Sequence, residues 1–330
     1  MLTLALALLA FQDSTPAPSP VDALRAEAER LRARAECAGT RAFLDAVAAL
    51  PEIGERSVLY DAKARAAVSA AAHAALPEAE RARYQPTPFG GEFYYTTKYG
   101  SPLAYTRALD VLGATLAKSG DDVLSGKRVL DFGYGGIGHL RLLASLGCDA
   151  VGVDVDPLLA AYYRAEDQGT IQSAKKNGHS GKLALVHGQW PAEASVKEAV
   201  GAGYDLVLSK NVLKKGYVRP AEKADPRMLI QLGVEPLAFL SEVARILKPG
   251  GCFLIYNICP AQDPARYKPM SDGASPFTRA EFTAAGFEVL LLDQDERAAC
   301  QEQAVALDWP TQGMNIEDDL FAWVTLVRKR

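Results

Sequence analysis

The sequence predicts an α/β fold built on a doubly wound, largely parallel sheet, with a helical N-terminal extension ahead of it. Three observations point there. From Gly126 onward, short β-branched apolar runs alternate with stretches of helical periodicity, the pattern of strands joined by crossover helices. The first of these runs leads into a glycine-rich turn that opens a helix, Val129 to Gly138, VLDFGYGGIG. Ahead of Gly126, much of the chain is instead rich in Ala, Leu, Arg and Glu at helical spacing.

Composition sets the frame for these elements. A chain of 330 residues, 49% hydrophobic and 23% charged, has material for one sizeable core and an accessory segment. With 36 Lys and Arg against 40 Asp and Glu, the net charge of −4 leaves no electrostatic footprint for a polyanion, so nucleic acid is not an expected partner. The five cysteines, Cys37, Cys148, Cys252, Cys259 and Cys300, are scattered and lack any CxxC or Cys/His ligand spacing, which indicates neither a disulfide framework nor a metal site.

The opening run MLTLALALLAF is apolar apart from Thr3 and leads into QDSTPAPSP, which together resemble the apolar stretch of a signal peptide. Against that, no Lys or Arg precedes the run, and Leu8 holds the minus-three position of a cut after Ala10. An unstructured start is the competing reading, and the run is too short to span a bilayer. Residues 1–20 therefore read as an apolar leader and linker, residues 21–100 as a helical extension with an aromatic loop, and residues 101–330 as the sheet domain.

Within the extension, Val21 to Leu50 reads as amphipathic helix and Ser57 to Leu76 as a second helical stretch. The segment Pro86 to Pro102 then crowds Phe89, Phe93, Tyr94, Tyr95 and Tyr99 between glycines and prolines. Such a loop either packs on the domain or forms a lid over a substrate pocket. Ser101 and Pro102 are an N-cap and first-turn pair for a helix running towards Lys118. Seven strands follow: Lys127 to Phe132, Ala150 to Asp154, Leu183 to His187, Tyr204 to Ser209, Cys252 to Asn257, Glu288 to Leu292 and Leu320 to Val327. Leu247 to Gly251, LKPGG, stops a helix before the fifth strand. Thr278 and Glu281 form a capping box, and Gly286 ends the helix before the sixth.

Gly133, Gly135 and Gly138 satisfy a GxGxxG spacing that dinucleotide enzymes share. Asp131 shifts the balance, because an acidic side chain just ahead of the turn suits a ligand with a cationic amino acid part and repels a pyrophosphate. In VGVDVDP, Asp154 ends the second strand, where a carboxylate can accept hydrogen bonds from ribose hydroxyls.

Taken in order, VLDFGYGGIG, VGVDVDP, YDLVLSKNVL and LKPGG resemble the motifs of class I S-adenosylmethionine (SAM)-dependent methyltransferases, over Gly126 to Arg330. The resemblance implies a Rossmann-like sheet of seven strands in the order 3-2-1-4-5-7-6 with strand 7 antiparallel. It also implies a SAM-binding methyltransferase domain over residues 101–330, with S-adenosylhomocysteine (SAH) as product. Asp131 would then contact the methionine amino group through the turn. Gly133, Gly135 and Gly138 would form the cradle, and Asp154 would hold the ribose. After strand 3 the family often has Gly-Asp, whereas this chain has Gly188 and Gln189, whose carbonyl can still accept from the adenine amine. Trp190 either stacks on adenine or wedges between helix and sheet, and Ser209 joins the cofactor contacts at the end of strand 4.

Methyl transfer from a sulfonium is an in-line displacement, so alignment and water exclusion matter more than a base. The loop after strand 4, Ser209 to Pro220, faces the transferred methyl in such sheets. It has no Asn-Pro-Pro-Tyr, and no His where many small-molecule O-methyltransferases carry one. Lys210, Asn211, Lys214, Lys215, Tyr217 and Arg219 read either as a site for an anionic acceptor such as a carboxylate or as a solvated basic face. Lys210, Asn211 and Tyr99 are the candidate catalytic residues of a small-molecule methyltransferase. His139 and His187 read as structural. The pocket is expected between Lys210 to Tyr217 and Phe93 to Tyr99, with residues before Gln85 dispensable for cofactor binding.

Two other readings compete. A NAD-dependent oxidoreductase shares GxGxxG, but Asp131, LKPGG and the lack of Tyr-x-x-x-Lys downstream of the turn oppose it. A non-catalytic SAM-binding protein is the other, which the export-like start keeps open. Synthesis of SAM in the cytoplasm places the chemistry there, and the sequence says nothing of oligomeric state.

Overall fold

The computed structural model describes residues 19–95, 100–116, 123–175 and 178–330. Its strands, in chain order, are β1 (Arg56–Asp61), β2 (Ala66–Val68), β3 (Gln85–Phe89), β4 (Arg128–Phe132), β5 (Asp149–Asp154), β6 (Gly169–Ile171), β7 (Gly181–His187), β8 (Tyr204–Lys210), β9 (Leu247–Cys259), β10 (Phe287–Asp295) and β11 (Phe321–Lys329). The large sheet has the order β10-β11-β9-β8-β4-β5-β7-β6. β4 runs parallel to β5 and β8, β7 parallel to β5, and β9 parallel to β8. β11 is antiparallel to both β9 and β10. Setting β6 aside, this is the 3-2-1-4-5-7-6 order that the sequence implies. β6 is an addition: three residues that pair antiparallel with the outer edge of β7.

Strand alternation divides the core in two. Val129, Leu206, Leu208 and Leu254 face the side covered by helices Thr106–Leu116, Gly138–Ser145 and Arg297–Ala306. Leu130, Val153, Val207 and Ile255 face the other side, with Phe239 and Phe282 from helices Pro236–Ile246 and Arg279–Ala284. The same parity puts Asp131 and Lys210 on the first side, at the carboxyl ends of β4 and β8, where ligands bind in open α/β sheets. The expected capping box is present: the Thr278 hydroxyl accepts from the Glu281 N–H (3.2 Å), and the Glu281 carboxylate accepts from the Thr278 N–H (2.8 Å).

The extension departs from the sequence expectation in two places. Helix Pro20–Arg32, capped by Ser19 and buried along Val21, Leu24, Ala28 and Leu31, ends well short of Leu50. A second helix, Ala38–Asp45, begins after a break at which Asp110 of the sheet domain accepts the N–H groups of Glu36 and Cys37 at 3.1 and 3.0 Å. The stretch Ser57 to Leu76 is helical only over Ala70–Ala75. The rest is a β1–β2 hairpin, and β3 completes a three-stranded sheet of order β2-β1-β3. The Asp61 carboxylate accepts the N–H groups of Lys63 and Ala64, and Arg65 is left-handed at φ 53°, so the chain turns back on itself. Val58, Leu59 and Tyr60 then pair as β-formers despite the Ala-rich sequence beyond.

This module is tied to the sheet domain through Arg56. Its guanidinium donates to both oxygens of Asp167, at 2.6 and 2.9 Å, while the Tyr94 hydroxyl (2.9 Å) and the Arg164 N–H (2.7 Å) also donate to that carboxylate. Burial pushes the Asp167 carboxyl up, but its hydrogen bonds to Arg56, the Arg164 N–H and Tyr94 outweigh burial and hold it below the usual range. Arg56→Ala is expected to cost about 3–5 kcal/mol in chemical denaturation, because it strands a buried carboxylate. The pair stabilises the fold fully above the ordinary carboxylate pKa and loses that effect as pH falls through the lowered one. Wild type and Arg56→Ala should therefore converge in stability in acid and diverge near neutrality.

Candidate functional site

A cavity of about 380 Å³ opens at the carboxyl ends of β4, β5 and β8. Its floor is the turn Gly133 to Gly136, and its walls include Phe93, Tyr95, Tyr105, His139, Asp154, Asp156, Lys210 and Val212. Gly133 is required twice over. Its φ of +75° is left-handed, and a Cβ there would meet Val212 at 2.5 Å, so the β8 loop can close over the turn only on a glycine.

Asp131 lies fully buried behind this turn. The Tyr105 hydroxyl donates to its Oδ2 at 2.8 Å, and His139 Nε2 meets the same oxygen at 2.6 Å. The two rings stack with centroids 3.9 Å apart. Oδ1 has no partner, a buried acceptor left open on a charged group. His139 thus serves structure and site together. Tyr105 came from a stretch that reads only as helix, with no motif to mark it.

At the other end, Asp154 accepts from the Gly135 N–H (3.1 Å) and the Asp156 N–H (2.9 Å). Burial dominates and pushes its carboxyl up despite those two bonds. Between the two acidic residues, Val155 is 60% exposed, a large apolar side chain held out at the rim. The sequence reading passed over both Val155 and Asp156.

Gly133, Gly135, Asp154 and Lys210 line one cavity, and Asp131 lies behind its wall, held by the lining residues Tyr105 and His139. Gly138 is close by for another reason: a Cβ there would meet Pro102 at 2.9 Å and Tyr95 at 3.3 Å, so it admits the approaching N-terminal segment rather than a ligand. Trp190 is a correction to the adenine-stacking reading. It is buried in the second core, its ring centroid 5.5 Å from that of Phe239 and 6.0 Å from that of Phe132. Ser209 is likewise buried, and strand parity turns it to the side of the sheet away from Lys210. Gln189 lies off the cavity lining, its amide donating to the Gln231 carbonyl at 3.0 Å. Tyr99 lies outside the described residues.

Asn211, read as catalytic, instead joins strands. It is left-handed at φ 65°, its N–H donates to the Tyr256 carbonyl (3.0 Å) and its side-chain oxygen accepts from the Ile258 N–H (2.7 Å). Asparagine tolerates this conformation better than most residues. Asn211→Ala is expected to lower stability by about 1–3 kcal/mol by thermal or chemical unfolding, from the lost hydrogen bond and the left-handed backbone.

The N-terminal segment forms the near wall. The Tyr95 hydroxyl donates to the Pro51 carbonyl at 2.5 Å, which leaves its ring against the cavity. The Tyr163 hydroxyl bridges the Tyr94 carbonyl (3.0 Å) and the Ile137 N–H of the glycine turn (3.3 Å). Tyr94 itself points away, to Asp167. Among the described residues no group of three or more His, Cys, Asp or Glu is placed to hold a metal ion, and no helix is long and apolar enough to cross a membrane.

No protein-family model matches the chain, and no curated protein does. Solved structures of similar fold do exist. A SAM-dependent methyltransferase from Mesorhizobium loti is 16% identical over 68% of this chain and 98% of its own, with a TM-score of 0.39. Phosphoethanolamine N-methyltransferase 2 from Haemonchus contortus, solved with SAM, is 15% identical over 74% of this chain and 62% of its own, with a TM-score of 0.40. A SAM-dependent methyltransferase from Methanosarcina mazei is 16% identical over 66% of this chain and 96% of its own, with a TM-score of 0.32.

Proposed function

We propose that the chain is a SAM-dependent methyltransferase acting on a small molecule. The observation that carries this reading is the pairing of two carboxylates across one glycine turn: Asp131 behind it with an open Oδ1, and Asp154 at the cavity wall. That arrangement suits a ligand with an ammonium at one end and ribose hydroxyls at the other, and it repels a pyrophosphate laid on the turn. A volume of about 380 Å³ is in the range of small-molecule sites.

The residues fit SAM as follows. Asp131 would balance the amino acid ammonium through the turn, where low dielectric strengthens the attraction. Asp154 would accept from the ribose, and Val155 would offer the base an apolar surface. When bound, SAM supplies an electrophilic methyl on a sulfonium. Phe93 and Tyr95 screen the cavity from water, and Val212, seated on Gly133, fixes the β8 loop close to the turn.

Titration calorimetry with SAH and with NAD tests the reading. SAH is expected to bind and NAD to give no heat. Asp154→Ala is expected to weaken SAH by about 1–3 kcal/mol, the cost of leaving hydroxyls unpaired. An unchanged SAH affinity in that variant would sink the assignment.

A further inference from the structure

The polar groups of the loop after β8 separate sharply by what they touch. Lys214 donates to the Ile258 carbonyl at 2.6 Å, and Arg219 to Glu281 at 2.7 and 3.1 Å. Asn211 is spent on Ile258, and Lys215 is exposed. Lys210 alone of these lines the cavity. Its ammonium has no hydrogen-bond partner among the described residues, and lies 5.2 Å from the centre of the Tyr105 ring.

We propose that Lys210 anchors the methyl acceptor, and that the acceptor is a small carboxylate with a flat apolar body. This rests on the methyl-transfer reading above. A sulfonium and an ammonium that no described carboxylate pairs by a hydrogen bond repel each other in one aromatic-walled cavity, and an acceptor carrying one negative charge relieves both. One lysine is a point charge, and the neighbouring cation, Lys214, is turned to the Ile258 carbonyl and does not line the cavity, which matches a monoanion better than a phosphate dianion. Phe93, Tyr95 and Tyr105 offer ring surfaces for the flat body.

Lys210 faces Asp131 from β4, Tyr256 from β9, Cys300 from helix Arg297–Ala306, and Tyr105 and Lys214. Burial pushes its ammonium down to about 8, with Cys300 and Asp131 pulling the other way. An anion that needs the charged form is therefore held near neutrality and released as pH rises past that value.

The test uses full-length protein saturated with SAH and titrated with benzoate, with benzamide as the neutral isostere and phenyl phosphate as the dianion. Benzoate is expected to bind at least about tenfold more tightly than either, and to weaken as pH rises past about 8. Lys210→Met should abolish that preference. Lys210→Arg should keep it and remove the alkaline fall, because guanidinium stays charged. SAH affinity should stay within about threefold in both variants, and Lys215→Met should change nothing. Three results would overturn the proposal: wild type that binds SAH but shows no benzoate preference, a preference that survives Lys210→Met, or an SAH affinity that collapses in Lys210→Met. The last would assign Lys210 to the carboxylate of the methyl donor instead. A wild type that binds no SAH removes the methyl-transfer reading and this one with it.

Discussion

Asp131→Asn is expected to leave the protein folded and to weaken SAH binding on the order of 10- to 150-fold, the equivalent of about 1.5–3 kcal/mol for a lost charge-assisted interaction. The substitution separates charge from packing. In the wild type both donors, Tyr105 and His139, converge on Oδ2, while Oδ1 has no partner. An asparagine can place its carbonyl where Oδ2 lies, keep both donors satisfied, and put its amide on the open side. A donor then stands where an ammonium needs an acceptor, and the net negative charge behind the turn is gone. Asp131→Ala would be a poorer experiment. It would leave the Tyr105 hydroxyl and the His139 ring unpaired in the core, at about 1–3 kcal/mol each, and mix unfolding with binding. Calorimetry with SAH, read beside a thermal melt, decides the matter: Asp131→Asn that melts like wild type and binds SAH within about twofold would remove Asp131 from the site.

How far the site could be read from residues alone follows from how local each determinant is. Alternating apolar runs and a glycine turn specify β4, β5 and the helix after them within a few tens of residues, so Asp131, Gly133 and Asp154 were legible. Tyr105 and His139 reach Asp131 from 26 residues before it and 8 after it, contacts that depend on the sheet being assembled. The same holds for Lys210. Its neighbours Asn211, Lys214 and Arg219 carry similar polarity, and only the partners they find on β9 and helix Arg279–Ala284 set it apart. Trp190 reads equally well as a stacking platform or a core wedge, because aromatic character does not say which side of the sheet it faces. The Ser57 to Leu76 error has a different source. An Ala-rich stretch carries helical propensity, which is a weak preference, and pairing of β1 with β2 across a turn fixed by Asp61, and with β3 along its other edge, overrides it.

That hairpin bears on the largest effect expected of any change to this chain. Deleting residues 1–84 is expected to abolish soluble, cooperatively folding protein, not to produce an enzyme with an open pocket. An arm that merely covered a site could be removed without harm, and the sequence reads that way. The packing argues otherwise. Val21, Leu24, Leu31, Phe43, Leu44 and Val47 are each at most 2% exposed and share one core with Leu103, Leu109, Leu112, Leu142 and Leu307 of the sheet domain. Each such side chain contributes about 1.5–3 kcal/mol by burial, so losing several exceeds the 5–15 kcal/mol margin of an ordinary domain. Polar ties fail as well. Asp167 would keep its buried carboxylate without Arg56, Asp110 would lose the N–H groups of Glu36 and Cys37, and Ser101 would lose Glu27, to which it donates at 2.8 Å. The loss would also reach the glycine turn, since Tyr95 hangs from Pro51, and Tyr94 carries the bridge through Tyr163 to Ile137. Expression of residues 85–330 beside the full chain, followed by thermal unfolding and SAH titration, tests this. A truncated protein that melts in one sharp transition and binds SAH as tightly as the full chain would show that the module is a removable arm after all.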